Sequence, residues 1–208
     1  MDRLRIYPGN INARFIDQAV ATLREGGVII YPTDTVYALG CDALNAQAIA
    51  KVCRIKGIDP AKRSLSIVCD SLSQASEYVK IDNVAFRTLR ANLPGPFTFL
   101  LPATTRLPKV MKGRKQVGVR IPGCDISRAL AEALGNPLLS TSVQVEGEHE
   151  GDLDAAANPD TASLTYEYCD GIDMLIDGGF REGCLSTIVD LANPAEPVIV
   201  RQGAGMLQ

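Results

Sequence analysis

Residues 26–41 read GGVIIYPTDTVYALGC, and they join a very apolar run to a polar turn. Residues 28–31 are typical of a buried strand, because they are large, apolar and mostly β-branched. The chain next places Thr33, Asp34 and Thr35 between two tyrosines. A loop that only connects two elements favours Gly, Asn and Ser. The composition of this turn therefore requires an explanation other than chain connection.

Helix and strand periods alternate on both sides of this stretch. Helical spacing of apolar residues, with polar caps and glycine stops, predicts helices at 12–27, 45–57, 71–79, 82–93 and 125–135. Apolar runs predict further strands at 4–7, 64–69, 97–101, 116–121, 137–142, 173–177, 186–191 and 197–201. This order predicts an α/β fold: one domain over residues 1–208, with a large mixed sheet and helices packed on it.

The bulk composition excludes several classes of protein. The chain has 208 residues, of which 46% are hydrophobic and 22% charged, which is typical of a globular domain. No apolar run approaches the ~18 residues of a membrane span, and the start, MDRLRIYPGN, lacks the apolar core of an export signal. Six cysteines without a C-x-x-C pair argue against zinc and against a disulfide framework. We therefore expect a cytoplasmic protein with no membrane partner and no metal site of its own.

The net charge is −3, but the charges are distributed unevenly. Residues 51–63 carry five cations and one carboxylate, and residues 106–115 carry five cations and no carboxylate. Residues 146–182 are strongly acidic, with Arg181 as their single base. Ordinary solvated faces are one explanation for such runs. A polarised surface that attracts a phosphate-bearing partner is the other.

Arg120 interrupts a predicted strand that is otherwise apolar. In QVGVRIP, the valines and the isoleucine point to one face of the sheet, while Gly118 and Arg120 point to the other. If helices cover both faces, Arg120 is buried and needs an anion, and Gly118 leaves room for a ligand beside it. The alternative is an edge strand with Arg120 in solvent or paired with a structural carboxylate.

Hydroxyl side chains occupy two other predicted strands. Ser140 and Ser142 share one face of PLLSTS, with Thr141 on the other. Because a buried hydroxyl must find a partner, these residues suit a ligand with many acceptor oxygens. The alternative is a strand end with local side-chain-to-backbone bonds. Before Ser186 and Thr187, a glycine-rich loop could present backbone N–H groups to an anion.

Lys56 lies at the end of a predicted helix, where a cation ordinarily complements the helix dipole. That role does not explain the neighbouring Lys62 and Arg63. His149, in an acidic loop, is a further candidate for a catalytic base. The sequence contains no phosphate-loop or dinucleotide-binding motif. An enzyme with this sequence would therefore work by positioning charges around reactive substrates.

Seven ordered segments together resemble the YrdC/YciO family, most closely its YciO-type branch. They are YPTDTVYALGC, KGIDPAKRSLSIVC, PGPFTFLLP, VGVRIP, LLSTSVQVEG, IDGG followed by STIVDL, and VIVRQGAG. The resemblance implies a YrdC-like fold, a twisted sheet around a large positive cavity. Catalytic members of the family are threonylcarbamoyl-AMP synthases (nucleotidyltransferases), which join L-threonine, bicarbonate and ATP for threonylcarbamoyladenosine formation on tRNA. Some members bind double-stranded RNA or tRNA.

The resemblance also implies an amino-acid side of the site. The turn after residues 28–31 looks like the threonine-binding wall, with Thr35 as the contact to threonine. Arg120 would hold the amino-acid carboxylate or carbonate and serve as a catalytic residue. Ser140 would face threonine, and Ser186 would close this side.

The same resemblance implies a nucleotide side. Lys56, as the second catalytic residue, and Arg201 would meet the phosphates of ATP, with Ser142 and Lys62 as further nucleotide contacts. Magnesium would accompany ATP.

Two departures from the family pattern bear on catalysis. The K-x-R motif is Lys56-Gly57-Ile58, and S-T-S-A-N is replaced at 140–144 by STSVQ. Losing a preorganised cation typically costs a factor of ~100 or more in rate, unless Lys62 or Arg63 replaces it. Two hypotheses remain: a synthase of reduced rate, or a non-catalytic relative that kept the cavity and binds a nucleotide, double-stranded RNA or tRNA.

Overall fold

Helices and strands alternate along the chain much as the sequence predicts. The computed structural model describes residues 1–59, 65–113, 116–143, 157–158, 160 and 171–208. The helices are α1 (Ala13–Arg24), α2 (Ala46–Lys56), α3 (Leu72–Tyr78), α4 (Asn83–Asn92) and α5 (Asp125–Leu134), with a 3-10 helix at Lys109–Gly113. The strands are β1 (Asp2–Arg5), β2 (Ile29–Tyr31), β3 (Ala38–Asp42), β4 (Ser66–Val68), β5 (Phe97–Pro102), β6 (Gln116–Arg120), β7 (Leu138–Ser142), β8 (Met174–Asp177), β9 (Thr187–Asp190) and β10 (Val198–Arg201).

Side-chain caps begin α1, α2, α3 and α4. Asn12, Asn45, Ser71 and Asp82 each accept a hydrogen bond from backbone N–H groups of the following turn. α2 ends at Gly57, whose φ of 67° lies in the left-handed region that favours glycine. The predicted caps at Asn45 and Asp82 and the predicted stop at Gly57 are confirmed. None of the helices in the described ranges is long and apolar enough to cross a bilayer.

The strands of the described residues form one mixed sheet, in the order β1-β8-β2-β3-β7-β4-β6-β5-β9-β10. The pairs β1–β8, β2–β8, β4–β6 and β5–β9 are parallel. The other neighbouring pairs are antiparallel. Neighbours in the sheet are often distant in sequence, since Asp2 of β1 lies opposite Met174 of β8. The predicted α/β class with a large mixed sheet is confirmed.

β3 is a strand that the sequence pattern does not reveal. Residues 38–42 read as the end of the polar turn, but in the structure they pair antiparallel with both β2 and β7. Gly40 conceals the strand, because glycine is depleted in strands. Its lack of a side chain is required here, since a Cβ would lie 2.4 Å from the carbonyl oxygen of Leu139 and 2.7 Å from the Tyr31 ring.

Helices cover one face of the sheet. Ile67, Phe99, Val119 and Leu139 point to this face, are fully buried and belong to the larger hydrophobic core. Apolar residues of α2, α3 and α4 complete that core. Since successive side chains of a strand point to opposite faces, the alternate residues of these four strands point to the other face.

The other face is covered over only part of its width. α1 and α5 pack on each other, and a second core forms beneath them around Val20, Leu130, Tyr31 and Met174. Its strand residues come mainly from β1, β2 and β8. Beyond this core, the same face of β4, β5, β6 and β7 carries polar residues. These residues form the floor of a pocket.

Candidate functional site

The pocket on the partly covered sheet face has a volume of about 160 Å³. Hydroxyls and two arginines dominate its lining. The lining residues are Thr35, Val36, Ser66, Thr98, Arg120, Ser140, Thr141, Ser142, Leu185, Ser186, Ile188 and Arg201. The structure thus brings together six of the eight residues that the sequence analysis assigned to a site: Thr35, Arg120, Ser140, Ser142, Ser186 and Arg201. Their roles remain predictions.

Arg120 is the central cation of the pocket, and its side chain is only 10% exposed. Its Nη2 donates to Asp34 Oδ1 at 2.9 Å and to Thr35 Oγ1 at 3.1 Å. Its Nε is buried and has no hydrogen-bond partner among the described residues. Both explanations of Arg120 from the sequence therefore hold in part, since it pairs with a carboxylate and also faces the pocket. The Nε–H is thus a buried donor that the described residues leave unsatisfied.

The hydroxyls of the polar turn bond to one another in a fixed order. Thr33 Oγ1 donates to the carbonyl oxygen of Val36 at 2.7 Å, so its single proton is committed. Thr33 Oγ1 and Thr35 Oγ1 are 2.9 Å apart, and Thr35 must therefore be the donor of that bond. Thr35 Oγ1 also accepts from Arg120. Its remaining capacity is a single lone pair, which suits a donor such as the amino group of a ligand.

The pocket floor continues across neighbouring strands. Ser66 of β4 lies between Ser140 of β7 and Gly118 of β6 in the sheet register. A Cβ at Gly118 would lie 2.5 Å from Ser66 Oγ and 2.9 Å from Thr98 Cγ2. The prediction that Gly118 leaves room for a ligand is therefore wrong, because Ser66 and Thr98 fill the space beside it. The glycine instead allows these two side chains to approach the backbone of β6 closely.

Arg201 supplies the second cation of the pocket. It donates from Nη2 to the backbone oxygen of Ser186 at 2.8 Å and to Ser186 Oγ at 3.4 Å. Ser186 Oγ also lies 2.9 Å from Thr98 Oγ1. Desolvation by burial lowers the pKa of Arg201, and repulsion from Arg120 lowers it further. Two guanidinium groups that repel each other in one pocket favour an anionic ligand between them.

A glycine loop, residues 178–181, is hydrogen-bonded to the polar turn that carries Thr35. Tyr37 Oη donates to Gly179 O at 2.7 Å and accepts from Gly178 N at 3.1 Å. Arg181 donates to the carbonyl oxygens of Gly178 and Thr33, so it ties the loop to the polar turn. Burial raises the pKa of Tyr37 to about 12, and its phenol therefore stays protonated near neutral pH.

The residues that the resemblance assigns to a nucleotide are only partly brought to the pocket. Lys56 is buried at the end of α2, but it is not among the residues that line the pocket. Ile58, in the position of the family's second motif cation, packs against the larger core. Lys62, Arg63, Gln144 and His149 lie outside the described residues.

Sequence reasoning assigned no role to Asp34, Ser66 or Thr98. Thr98 lies between two phenylalanines in FTFLL, so the period of two could have placed it on the polar face. The partner of Asp34 could not be found in this way, because Arg120 lies 86 residues further along the chain.

Carboxylates contribute little to the described pocket. No cluster of three or more His, Cys, Asp or Glu side chains that could hold a metal occurs in the described ranges. Asp34, which touches the pocket cation, is already bonded to Arg120 and to the backbone N–H of Gly123. The described side chains therefore suit oxyanions rather than a bound metal ion.

A model of one protein family matches residues 21–203. That family carries the name Sua5_yciO_yrdC and the description Telomere recombination. The match spans nearly the whole chain and includes every lining residue of the pocket.

Individual relatives extend the comparison. The Escherichia coli (strain K12) protein YciO, described as uncharacterized, is 39% identical over 96% of this chain and 94% of its own. A threonylcarbamoyl-AMP synthase from Xanthomonas euvesicatoria is 35% identical over 78% of this chain and 85% of its own.

Solved structures share the same architecture. The crystal structure of E. coli YciO aligns with a TM-score of 0.87 over 99% of this chain and 98% of its own, at 38% identity. P. abyssi Sua5 complexed with L-threonine aligns with a TM-score of 0.85 over 98% of this chain and 58% of its own, at 30% identity. These likenesses agree with the YrdC-like fold that the sequence predicts.

Proposed function

Because the chain belongs to the Sua5/YciO/YrdC family, we propose that it is a threonylcarbamoyl-AMP synthase that joins L-threonine, bicarbonate and ATP. The observation that carries this proposal is the buried Arg120, whose Nε has no acceptor among the described residues and which lies beside Thr35 in a hydroxyl-lined pocket. The likeness to a Sua5 structure complexed with L-threonine supports threonine as the amino acid.

Threonine would occupy the part of the pocket around Arg120. Its carboxylate suits the guanidinium group of Arg120, since charge-assisted bonds to a guanidinium are strong and directional. Its amino group suits the remaining lone pair of Thr35, and Ser140 and Ser186 offer hydroxyls to its other oxygens. A volume of about 160 Å³ accommodates a small molecule of this size.

ATP would approach from the side of Arg201, with Ser142 as a further contact. Arg201 is exposed as a whole residue, so this side of the pocket is open to a ligand larger than the cavity. Lys56 and Lys62 are proposed nucleotide contacts on the family motif alone.

Two steps make up the proposed reaction. The amino nitrogen of threonine attacks the carbon of bicarbonate, a C–O bond breaks, and water leaves with a proton from the amine. One oxygen of the resulting carbamate attacks the α-phosphorus of ATP. The bond from that phosphorus to the bridging oxygen of the β-phosphate breaks, and pyrophosphate leaves.

The chain's own contribution is positioning and charge. A carbamate anion and the ATP polyanion repel each other, and Arg120 and Arg201 would offset that repulsion from two sides. No protein nucleophile is required. Magnesium would enter with ATP as part of the substrate, since the described pocket offers hydroxyls and no carboxylate cage for it.

A second function is favoured by one observation. Ile58 stands where the family motif has its second cation, and it packs against the apolar core. A relative without that cation could keep the cavity and bind a nucleotide, tRNA or double-stranded RNA without catalysis. The two functions differ in pyrophosphate release.

The test is to incubate the protein with ATP, threonine and ¹³C-bicarbonate, and to measure pyrophosphate and labelled threonylcarbamoyl-AMP. Synthase activity predicts both products, their loss when threonine is omitted, and their loss in Arg120→Ala. ATP binding without either product would support the binding function. A protein that binds none of ATP, threonine, tRNA and double-stranded RNA would contradict both.

A further inference from the structure

Asp34 forms an ion pair with Arg120, the central cation of the pocket. Its Oδ1 accepts from Arg120 Nη2 at 2.9 Å, and its Oδ2 accepts from the backbone N–H of Gly123 at 2.7 Å. Gly123 directly precedes the capping residue of α5. The side chain of Asp34 is only 12% exposed, and Asp34 is not among the residues that line the pocket. Both oxygens of this carboxylate are thus committed to protein donors.

These bonds fix the direction of the guanidinium. An arginine side chain has several rotatable bonds, so fixing it in one rotamer costs conformational entropy. Hydrogen bonds to the guanidinium group offset that cost. Asp34 and Thr35 together take the Nη2 atom of Arg120, and Nε remains the buried nitrogen without a described partner. Asp34 and Thr35 therefore hold the guanidinium group through a single nitrogen.

We propose that Asp34 is a positioning residue, which holds Arg120 in the orientation that turns its guanidinium group toward an oxyanion in the pocket. Asp34 itself touches no substrate. The identity of that oxyanion as the threonine carboxylate rests on the proposed function, whereas the orientation of Arg120 does not. The two parts can be tested separately.

Asp34→Asn is the first variant, and it is nearly isosteric. An amide can offer one oxygen, but its nitrogen can only donate, so it cannot accept from both Arg120 and the Gly123 N–H. Asp125→Asn is the matched control. Asp125 begins α5, and its Oδ2 accepts from the backbone N–H of Gly9 at 2.7 Å, but it has no hydrogen bond or ion pair with Arg120 among the described residues.

The orientation is measured by NMR of the arginine Nε–Hε groups in the protein without ligand. The signal that disappears in Arg120→Lys belongs to Arg120. We expect Asp34→Asn to shift and broaden that signal, and Asp125→Asn to leave it unchanged. An unchanged Arg120 signal in Asp34→Asn would overturn the proposal, whether or not the protein binds threonine.

The consequence for binding is measured by calorimetry with threonine in a double-mutant cycle. A residue that acts through another adds no effect once that partner is removed. We expect Asp34→Asn to raise the threonine dissociation constant about 10-fold, and to add less than about 2-fold in an Arg120→Ala background. The affinity for ATP should change by less than about 2-fold in Asp34→Asn. Asp34 is bonded to Arg120, which lies on the proposed threonine side of the pocket.

The other possible results also test the positioning role of Asp34. Equal effects of Asp34→Asn in both backgrounds would show a general structural role and overturn the proposal. A wild type that binds no threonine would contradict the proposed function, and the NMR result would then decide the positioning role alone. If Asp34→Asn does not fold, Asp34→Glu replaces it, because the longer carboxylate keeps the charge pair but moves the guanidinium, and the same signal shift is expected.

Discussion

At the scale of single residues, the proton order in the polar turn decides what the pocket can bind. Thr35 donates to Thr33 and accepts from Arg120, so it retains only an acceptor site. Its role differs from that of Arg120, which can only donate. A zwitterionic amino acid supplies the complement to both, an anion for Arg120 and a donor for Thr35.

Thr35→Val tests this order by removing the hydroxyl at nearly constant volume. Arg120 then loses one acceptor and the ligand loses another, and an unsatisfied buried group costs about 1–3 kcal/mol. We expect threonine affinity measured by calorimetry to fall about 5- to 100-fold. Thr88→Val makes the same change on α4, away from the pocket, and should leave the affinity unchanged. Unaltered binding in Thr35→Val would remove Thr35 from the threonine site.

Arg201→Ala tests the second cation. It should weaken ATP binding about 10-fold and reduce the salt dependence of that binding, because one charge that faces the phosphates is lost. Arg87→Ala, on the exposed side of α4, is the control. Lys56→Ala in the same titration shows whether Lys56 contacts the nucleotide, and an affinity equal to that of the wild type would exclude it.

Single residues also show where sequence reasoning succeeds. The strand period placed Arg120 on the face opposite the valines of its strand and Ser140 on one face of its own strand, and the structure brings both into the pocket. It did not identify Asp34 as the partner of Arg120, because a carboxylate in a turn carries no periodic signal. A contact between residues 86 positions apart depends on the order of the strands, which local patterns do not fix.

At the scale of elements, the β2–β3 hairpin depends on one glycine. Gly40→Ala would bring a Cβ to 2.4 Å from the Leu139 carbonyl oxygen, and this neighbour is backbone that cannot rotate away. We expect a loss of about 1–3 kcal/mol in the free energy of unfolding, measured by urea denaturation. Gly123→Ala is the control, since its Cβ would meet nothing nearer than 3.6 Å. Equal stability of both variants would contradict the close approach of β3 and β7.

The junction of β1 and β8 should respond to acid. Burial alone would raise the pKa of Asp177, but a hydrogen bond from Arg3 at 2.8 Å and another from the Gly179 N–H lower it below its ordinary value. Because the folded pKa is depressed, Asp177 stabilises the fold fully above its unfolded pKa of about 3.9. That stabilisation is lost as pH falls through the folded pKa.

Asp177→Asn should therefore be less stable than the wild type at neutral pH, and the difference should shrink below about pH 4. Thermal unfolding from pH 7 to pH 3 measures both. A difference that stays constant over this range would show that the ionised carboxylate contributes nothing.

The elements that the sequence predicted well are those with strong periodicity and clear caps, such as α2 with Asn45 and Gly57. β3 was missed because its pattern is interrupted by Gly40 and it follows a turn without a break. Short strands with a glycine at their centre look like loops until their partners are known.

At the scale of the whole molecule, ligand binding and unfolding should be coupled. A ligand at 100 times its dissociation constant stabilises the folded state by about 2.7 kcal/mol. For a domain of this size, 1 kcal/mol corresponds to about 2–4 °C, so threonine should raise the melting temperature by about 5–10 °C. At the same threonine concentration the rise should be much smaller in Arg120→Ala, and its absence in the wild type would contradict threonine binding.

The order of the sheet could not be derived from the sequence. β1 and β8 are neighbours although their paired residues Asp2 and Met174 stand near opposite ends of the chain. Composition and periodicity predict how many layers form and which residues are apolar, but the pairing of distant strands depends on how all of them pack together. The resemblance to the family predicted a cavity, and the structure shows which residues line it.

The two-faced strands of the sheet also separate two kinds of evolutionary change. On β4, β5 and β7, Ser66, Thr98 and Ser140 line the pocket, while the residues that follow them, Ile67, Phe99 and Thr141, differ in role. Ile67 and Phe99 belong to the core on the opposite face. A substitution at Ser66 or Thr98 can alter what is recognised, while Ile67 and Phe99 remain in place. Proteins that descend from one ancestor could thus acquire new ligand specificities through substitutions at the pocket-facing positions of these strands. Libraries that randomise only those pocket-facing positions would sample new ligands with little loss of folding stability.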